Sequence, residues 1–187
     1  MGARGFGALA IALAFYALCA SAGKAAPSPQ ASGDSYFVLG LAPREAHIVI
    51  ASGTVTNGMF SRSAASTVMR FRTSADAIEN GFVVGKIRGG TTLGLVSVSD
   101  RTNWPDPKYS LCGPHARMLT FTPPPGAVVY ITSLKFRHAD RSFSPSYKDD
   151  IDTARAFLMA HYPELAEKLK QGRYNLVTGS AACSAKD

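Results

Sequence analysis

The stretch from Met118 to Phe136, MLTFTPPPGAVVYITSLKF, places two apolar, β-type runs on either side of three prolines and a glycine. Pro123, Pro124 and Pro125 have fixed φ and lack the N–H that a strand ladder needs, and Gly126 supplies the positive φ that turns a chain back. The pattern predicts a stiff hairpin corner with the rest of the chain packed around it. Past the turn, Val128, Val129, Tyr130 and Ile131 are bulky at every position, the mark of a strand covered on both faces. From Thr132 to Phe136 only the even-numbered positions stay largely apolar. This strand is therefore expected to start buried and to end half exposed.

The run Phe121-Thr122-Pro123-Pro124-Pro125-Gly126-Ala127-Val128-Val129-Tyr130-Ile131 resembles the "hydrophobic, x, Pro-Gly, x, Tyr, x, Val" hairpin of prealbumin-like and carboxypeptidase-regulatory-like β-sandwich domains. Such hairpins are common in bacterial envelope proteins. Here there are three prolines, and Tyr130 follows the glycine later than in that pattern. The resemblance implies a sandwich and carries no catalytic residue across.

Short β-type runs at Tyr36–Leu41, His47–Val55, Thr67–Arg72, Phe82–Arg88 and Thr92–Val98 precede the corner, separated by turn residues. Their spacing predicts a mainly β protein, a single antiparallel β-sandwich of about seven strands. In Thr67–Arg72, Met69 and Phe71 alternate with Arg70 and Arg72, one face for a core and one for water. Arg88-Gly89-Gly90-Thr91 suits a tight hairpin turn, which would make the two flanking strands neighbours. Asn57–Ser66 reads as an exposed loop. After the corner, the acids of Asp149-Asp150-Ile151-Asp152-Thr153 suit a helix start, and Ala154, Phe157, Leu158 and Tyr162 form an apolar stripe. Pro163 opens a second short helix carrying Leu165 and Leu169, and Gly172 ends it. Tyr174–Val177 would then return as an edge strand.

At the other end of the chain, Arg4, the apolar run from about Phe6 to Leu18 and Ala20-Ser21-Ala22 have the layout of a secretory signal peptide cleaved after Ala22. Cys19 offers a lipoprotein as an alternative, and an uncleaved signal would make an N-terminal membrane anchor. Residues 23–35 read as a flexible leader, and residues 36–187 as one sandwich domain with a C-terminal helical segment. Without the first 22 residues the chain carries 19 basic against 13 acidic side chains. That balance favours an anionic envelope polymer or peptide as partner, and the lack of a lysine-rich run or basic helix argues against nucleic acid. An exported chain left with Cys112 and Cys183 most simply joins them, closing a loop of about 70 residues, worth roughly 4 kcal/mol.

Ser99–Arg117, SDRTNWPDPKYSLCGPHAR, has three prolines, the only tryptophan and a disulfide cysteine, and reads as a long connection of the kind that carries function. Trp104 and Tyr109 would present aromatic faces to a ligand, with Arg101, Lys108, His115 and Arg117 beside them, or Trp104 would cap the core. Arg70, Arg72, Lys86 and Arg88 would form a basic stripe if their strands were adjacent. His138 and Asp140, with Asp149 or Asp150, form a weak metal constellation, better read as helix-start charge. The sequence has no Gly-x-Ser-x-Gly elbow, no His-Glu-x-x-His, no phosphate loop and no dinucleotide fingerprint, so no cofactor is implied. The expectation is an exported periplasmic or extracellular protein with a non-catalytic binding or structural role. The alternative is a small secreted hydrolase with His115 or His138 as base and Asp100, Asp106 or Asp140 as its orienting acid.

Overall fold

Strands form where the apolar alternation predicts them, but the turns between them do different work. The computed structural model describes residues 33–42, 46–62, 65–71, 78–79, 81–100, 109–139 and 142–180. The first half of the chain gives β1 (Asp34–Ala42), β2 (Ala46–Ser52), β3 (Thr54–Thr56), β4 (Met59–Ser61), β5 (Val68–Phe71), β6 (Ile78–Glu79), β7 (Phe82–Arg88) and β8 (Leu93–Asp100). The second half adds β9 (Tyr109–Ser110), β10 (Gly113–Phe121), β11 (Val128–Ala139), β12 (Ser142–Lys148), α1 (Ile151–His161), α2 (Pro163–Ala166), β13 (Leu169–Gln171) and β14 (Tyr174–Gly179). The expected signal peptide, Cys19 and most of the leader lie outside the described residues. The last two leader residues, Asp34 and Ser35, already belong to β1.

Two sheets make a sandwich. One runs β12-β11-β1-β7-β6 with β13 beside β11, and the other β3-β4-β14-β10-β8-β2-β5 with β9 beside β8. The fold is mainly β with C-terminal helices, as the sequence predicts, although the strands outnumber the expected seven because several are two or three residues long. Nor is it purely antiparallel: β1 with β11, β13 with β11, and β4 with β14 run parallel.

The corner at Pro123–Gly126 is not a hairpin. β10 pairs with β14 and β8, whereas β11 pairs with β1, β12 and β13, so the prolines carry the chain from one sheet to the other. The Arg88–Thr91 turn does the same, because β7 pairs with β1 and β8 pairs with β2 and β10. A run of apolar, turn, apolar residues fits an inter-sheet arch as well as a hairpin, and only the remote partners decide between them.

The two arches lie side by side. Gly90 N–H donates to the Pro123 carbonyl at 2.8 Å, and the hydroxyls of Thr92 and Thr122 are 3.0 Å apart. Ser35 Oγ donates to the Pro124 carbonyl at 2.6 Å, and Tyr36 N–H to the Ala127 carbonyl at 2.8 Å, which fastens β1 to the same place. Gly126 has φ +72, as the turn requires. Gly89 is needed for a different reason: a Cβ there would overlap the Pro125 backbone and come 2.7 Å from Ser35 Oγ.

Strands β1 and β11 form the middle of the molecule. Phe37, Leu39, Val129 and Ile131 fill the space between the sheets, while Tyr36, Val38, Val128 and Tyr130 meet Ala154, Phe157, Leu158 and Leu165 of the helices. The helices therefore add a third layer on the outer face of the first sheet, with Phe82 stacked on Phe157 at 4.8 Å. This confirms the two-sided burial read from Val128–Ile131. The later change of phase has a local cause: Val38 pairs with Tyr130 but Leu39 with Thr132, so Ile131 is an extra residue and the inward positions move from odd to even at Leu134. Leu169 does not continue the second helix; it begins β13 and is still buried against the helical layer.

Substituting Gly89→Ala forces this close contact apart, and is expected to cost about 1–3 kcal/mol in urea denaturation. Undiminished stability would contradict the packing of the two arches.

Candidate functional site

The end of the second sheet that faces the 99–117 segment is assembled from three strands. Asn57 (φ 52) and Gly58 (φ 73) both take left-handed backbone and turn β3 back into β4, so the expected loop Asn57–Ser66 contains a strand. The Asn-Gly dipeptide between Val55-Thr56 and Met59-Phe60 was the signal for it. Thr178 N–H donates to the Gly58 carbonyl at 3.0 Å, and β4 then runs parallel to β14, Thr178 opposite Met59 and Gly179 opposite Phe60. On its other side β14 pairs with β10, Gly179 opposite Gly113 and Thr178 opposite Arg117. Tyr174–Val177 is thus an edge, as expected, and β4 covers β14 only beyond it, at Thr178 and Gly179. Phe60, fully buried in the core, anchors the arrangement.

Three basic side chains, Arg62, His115 and Arg117, stand where these strands end or begin. His115 and Arg117 are exposed, and Arg62 is half-buried. Arg117 Nη2 donates to the Leu176 carbonyl at 3.3 Å, which holds the guanidinium along β14. Nε and Nη1 of Arg62 are enclosed and meet no acceptor, as is Ser180 Oγ just past β14. Ser180 N–H donates to the Phe60 carbonyl at 2.9 Å, so the chain leaves β14 beside the exit from β4. Sequence reasoning passed over Arg62, because a single arginine after a short strand has no pattern to mark it.

Beside Arg117, the open seam between the sheets is closed by Tyr147 of β12 and Tyr174 of β14, with ring centroids 5.6 Å apart. Tyr147 is directly opposite Leu134, so its ring belongs to the inter-sheet face. Its hydroxyl is enclosed without a partner. Burial pushes its pKa above the ordinary 10.0, Tyr174 adds to the rise, and the charge of Arg117 opposes it.

Cys112 lies just before β10. Its sulfur is disulfide-bonded and 3.8 Å from the Val96 carbonyl oxygen. The expected partner, Cys183, lies outside the described residues. So do Arg101, Trp104, Asp106 and Lys108, while Tyr109 is placed by its backbone alone, opposite Val98 of β8. Ser99–Arg117 is therefore not wholly a loop: Ser99 and Asp100 extend β8, Tyr109 and Ser110 form β9, and Gly113–Arg117 open β10.

Other groupings come apart. Arg70 lies in β5 of the second sheet, and Lys86 and Arg88 in β7 of the first, so they form no stripe; Arg72 is outside the described residues. Lys86 instead pairs with Asp34 at 2.8 Å. Asp140 and the side chain of His138 are likewise undescribed. Asp150 serves the helix start: Thr153 Oγ1 donates to it at 2.6 Å and Lys148 Nζ at 3.2 Å, and these hydrogen bonds hold its carboxyl below the ordinary range. Among the described residues no three His, Cys, Asp or Glu side chains gather as a metal site, and no helix is long and apolar enough to cross a membrane. No protein-family model, curated protein or solved structure matches the chain.

Two tyrosine hydroxyls make a test of this geometry. Tyr130 Oη is bonded to Ser133 Oγ at 2.8 Å, donates to the Lys148 carbonyl at 3.1 Å and accepts from Asp150 N–H at 3.1 Å. Tyr130→Phe should cost about 1–3 kcal/mol because those partners are left unpaired, whereas Tyr147→Phe removes an unbonded hydroxyl and should stay within ~1 kcal/mol of wild type. The folded state keeps the raised phenolic proton of Tyr147 longer than the unfolded chain does, so stability declines as pH rises past about 10. Tyr147→Phe should lessen that decline. Equal losses from the two variants in urea denaturation at neutral pH would show that the Tyr147 hydroxyl is bonded after all.

Proposed function

We propose that this is an exported, envelope-associated β-sandwich with a non-catalytic binding role, and that its ligand-facing end is the one bearing Arg62, His115 and Arg117. The observation that carries this reading is the strand register, which places three basic residues, Arg62 just past β4 and His115 and Arg117 in the first half of β10, at one end of the second sheet. Arg101, Trp104 and Lys108 fall between β8, which ends at Asp100, and β9, which begins at Tyr109, and in this reading the segment adds aromatic faces and charge to the binding surface. A net positive chain with a basic end suits an anionic envelope polymer or an acidic peptide.

Export is supported by the charged, apolar and small-residue order of the N-terminus. The register of β10 and β14 supports a Cys112–Cys183 bond: Gly113, next to Cys112, stands opposite Gly179, four residues before Cys183. Such a bond would tie the tail to the foot of the proposed binding surface. It suits an oxidising compartment.

Cosedimentation of the purified protein with insoluble cell-envelope polymer tests the binding. Retention should fall as salt shortens the Debye length from ~10 Å at 0.1 M to about 3 Å at 1 M. The double change His115→Ala with Arg117→Ala should weaken it several-fold without altering the melting temperature. Retention that ignores both salt and these substitutions would remove the basic end from the account, and a mature protein whose N-terminus is not near Gly23 would remove cleavage of the signal.

A further inference from the structure

At the common exit of β4 and β14, two of the three guanidinium nitrogens of a half-buried arginine are enclosed without a partner among the described residues. Arg62 keeps Nε and Nη1 out of solvent without an acceptor, and Ser180 holds a third enclosed group, its hydroxyl, within two residues of the same Phe60–Gly179 pair. Guanidinium nitrogens taken out of solvent lose their hydration and are compensated only by a counter-charge or a set of acceptors. The ion pairs of Lys86 with Asp34 and of Lys148 with Asp150 belong to the first sheet and the helix start, away from this point. The nearest cations on the described strands, Arg117 and His115, stand on β10, with β14 between them and β4.

We propose that Arg62, with the hydroxyl of Ser180, forms a binding site for a small oxyanion, either a free ion or the phosphate, sulfate or carboxylate of a larger ligand. Guanidinium pairs strongly with such groups because its planar donors match their oxygens. Arg62 supplies the charge, Ser180 a neutral donor, and Arg117 and His115 a field that draws anions to this end of the sheet. The site rests on the same end as the binding reading above but does not depend on a polymer.

Thermal denaturation of the purified protein decides it, with sodium phosphate, sulfate and acetate each compared with sodium chloride at matched ionic strength. An ion that binds only the folded state raises the melting temperature progressively with concentration. The wild type should gain several degrees with phosphate or sulfate, and a comparable gain with acetate would mark a carboxylate as the natural group. In chloride, Arg62→Met should melt no lower than wild type, because it removes the enclosed nitrogens that have no partner, and it should lose the anion response. The proposal fails if no oxyanion exceeds chloride in the wild type, or if Arg62→Met responds equally. Should Arg62→Met not fold, Ser180→Ala takes its place: a weakened response supports the site and an unchanged one overturns it. Because the probe is an inorganic ion, its failure removes the Arg62 site alone; lost polymer retention with an intact ion response removes the polymer reading alone.

Discussion

The hydrogen bond from Gly90 N–H to the Pro123 carbonyl joins two crossings between the sheets that would otherwise be independent. Each arch carries the chain from one layer to the other, and each fixes a strand pair in both layers. With Ser35 bonded to Pro124, and Tyr36 to Ala127, β1 is held against β11 from its first turn. That parallel pair is the axis of the molecule: its odd residues build the inter-sheet core and its even residues receive the helices until the extra residue at Ile131 changes the phase. Three layers thus depend on a small contact made by prolines that cannot join a ladder and a glycine that leaves room for them.

The local chemistry of this corner was legible in the sequence, and its role was not. Three prolines and Gly126 announce a stiff turn, and Val128–Ile131 announces burial on both faces, and both are observed. Neither says that β10 will prefer β14 and β8 to β11, because that choice rests on residues 26 or more positions away. The same blindness affected Arg88–Thr91. The helical stripe of Ala154, Phe157 and Leu158 was plain because a helix records its buried face within a few turns, and its docking on Tyr130 and Val38 follows from the apolar outer face that those residues create.

Much of the candidate site was illegible for the same reason. His115 and Arg117 drew notice through their company in the 99–117 segment, but Arg62 is brought to them by a β4–β14 pairing that spans more than a hundred residues. Its one readable precursor was Asn57-Gly58, which turns the chain so that Phe60 enters the core and Arg62 follows it to the strand end. The candidate site and the fold therefore meet at β14: it is the strand that aligns β10 and receives β4.

Native-state hydrogen exchange tests the central role of the paired arches most directly. The account predicts that the amides of Tyr36, Gly89 and Gly90, bonded to Ala127, Gly33 and Pro123, exchange only through global unfolding, at the same free energy as the buried strand amides of Tyr130. Exchange of the Gly89 and Gly90 amides by a much cheaper local opening, while Tyr130 stays protected, would show that the sandwich holds without them and would contradict the account.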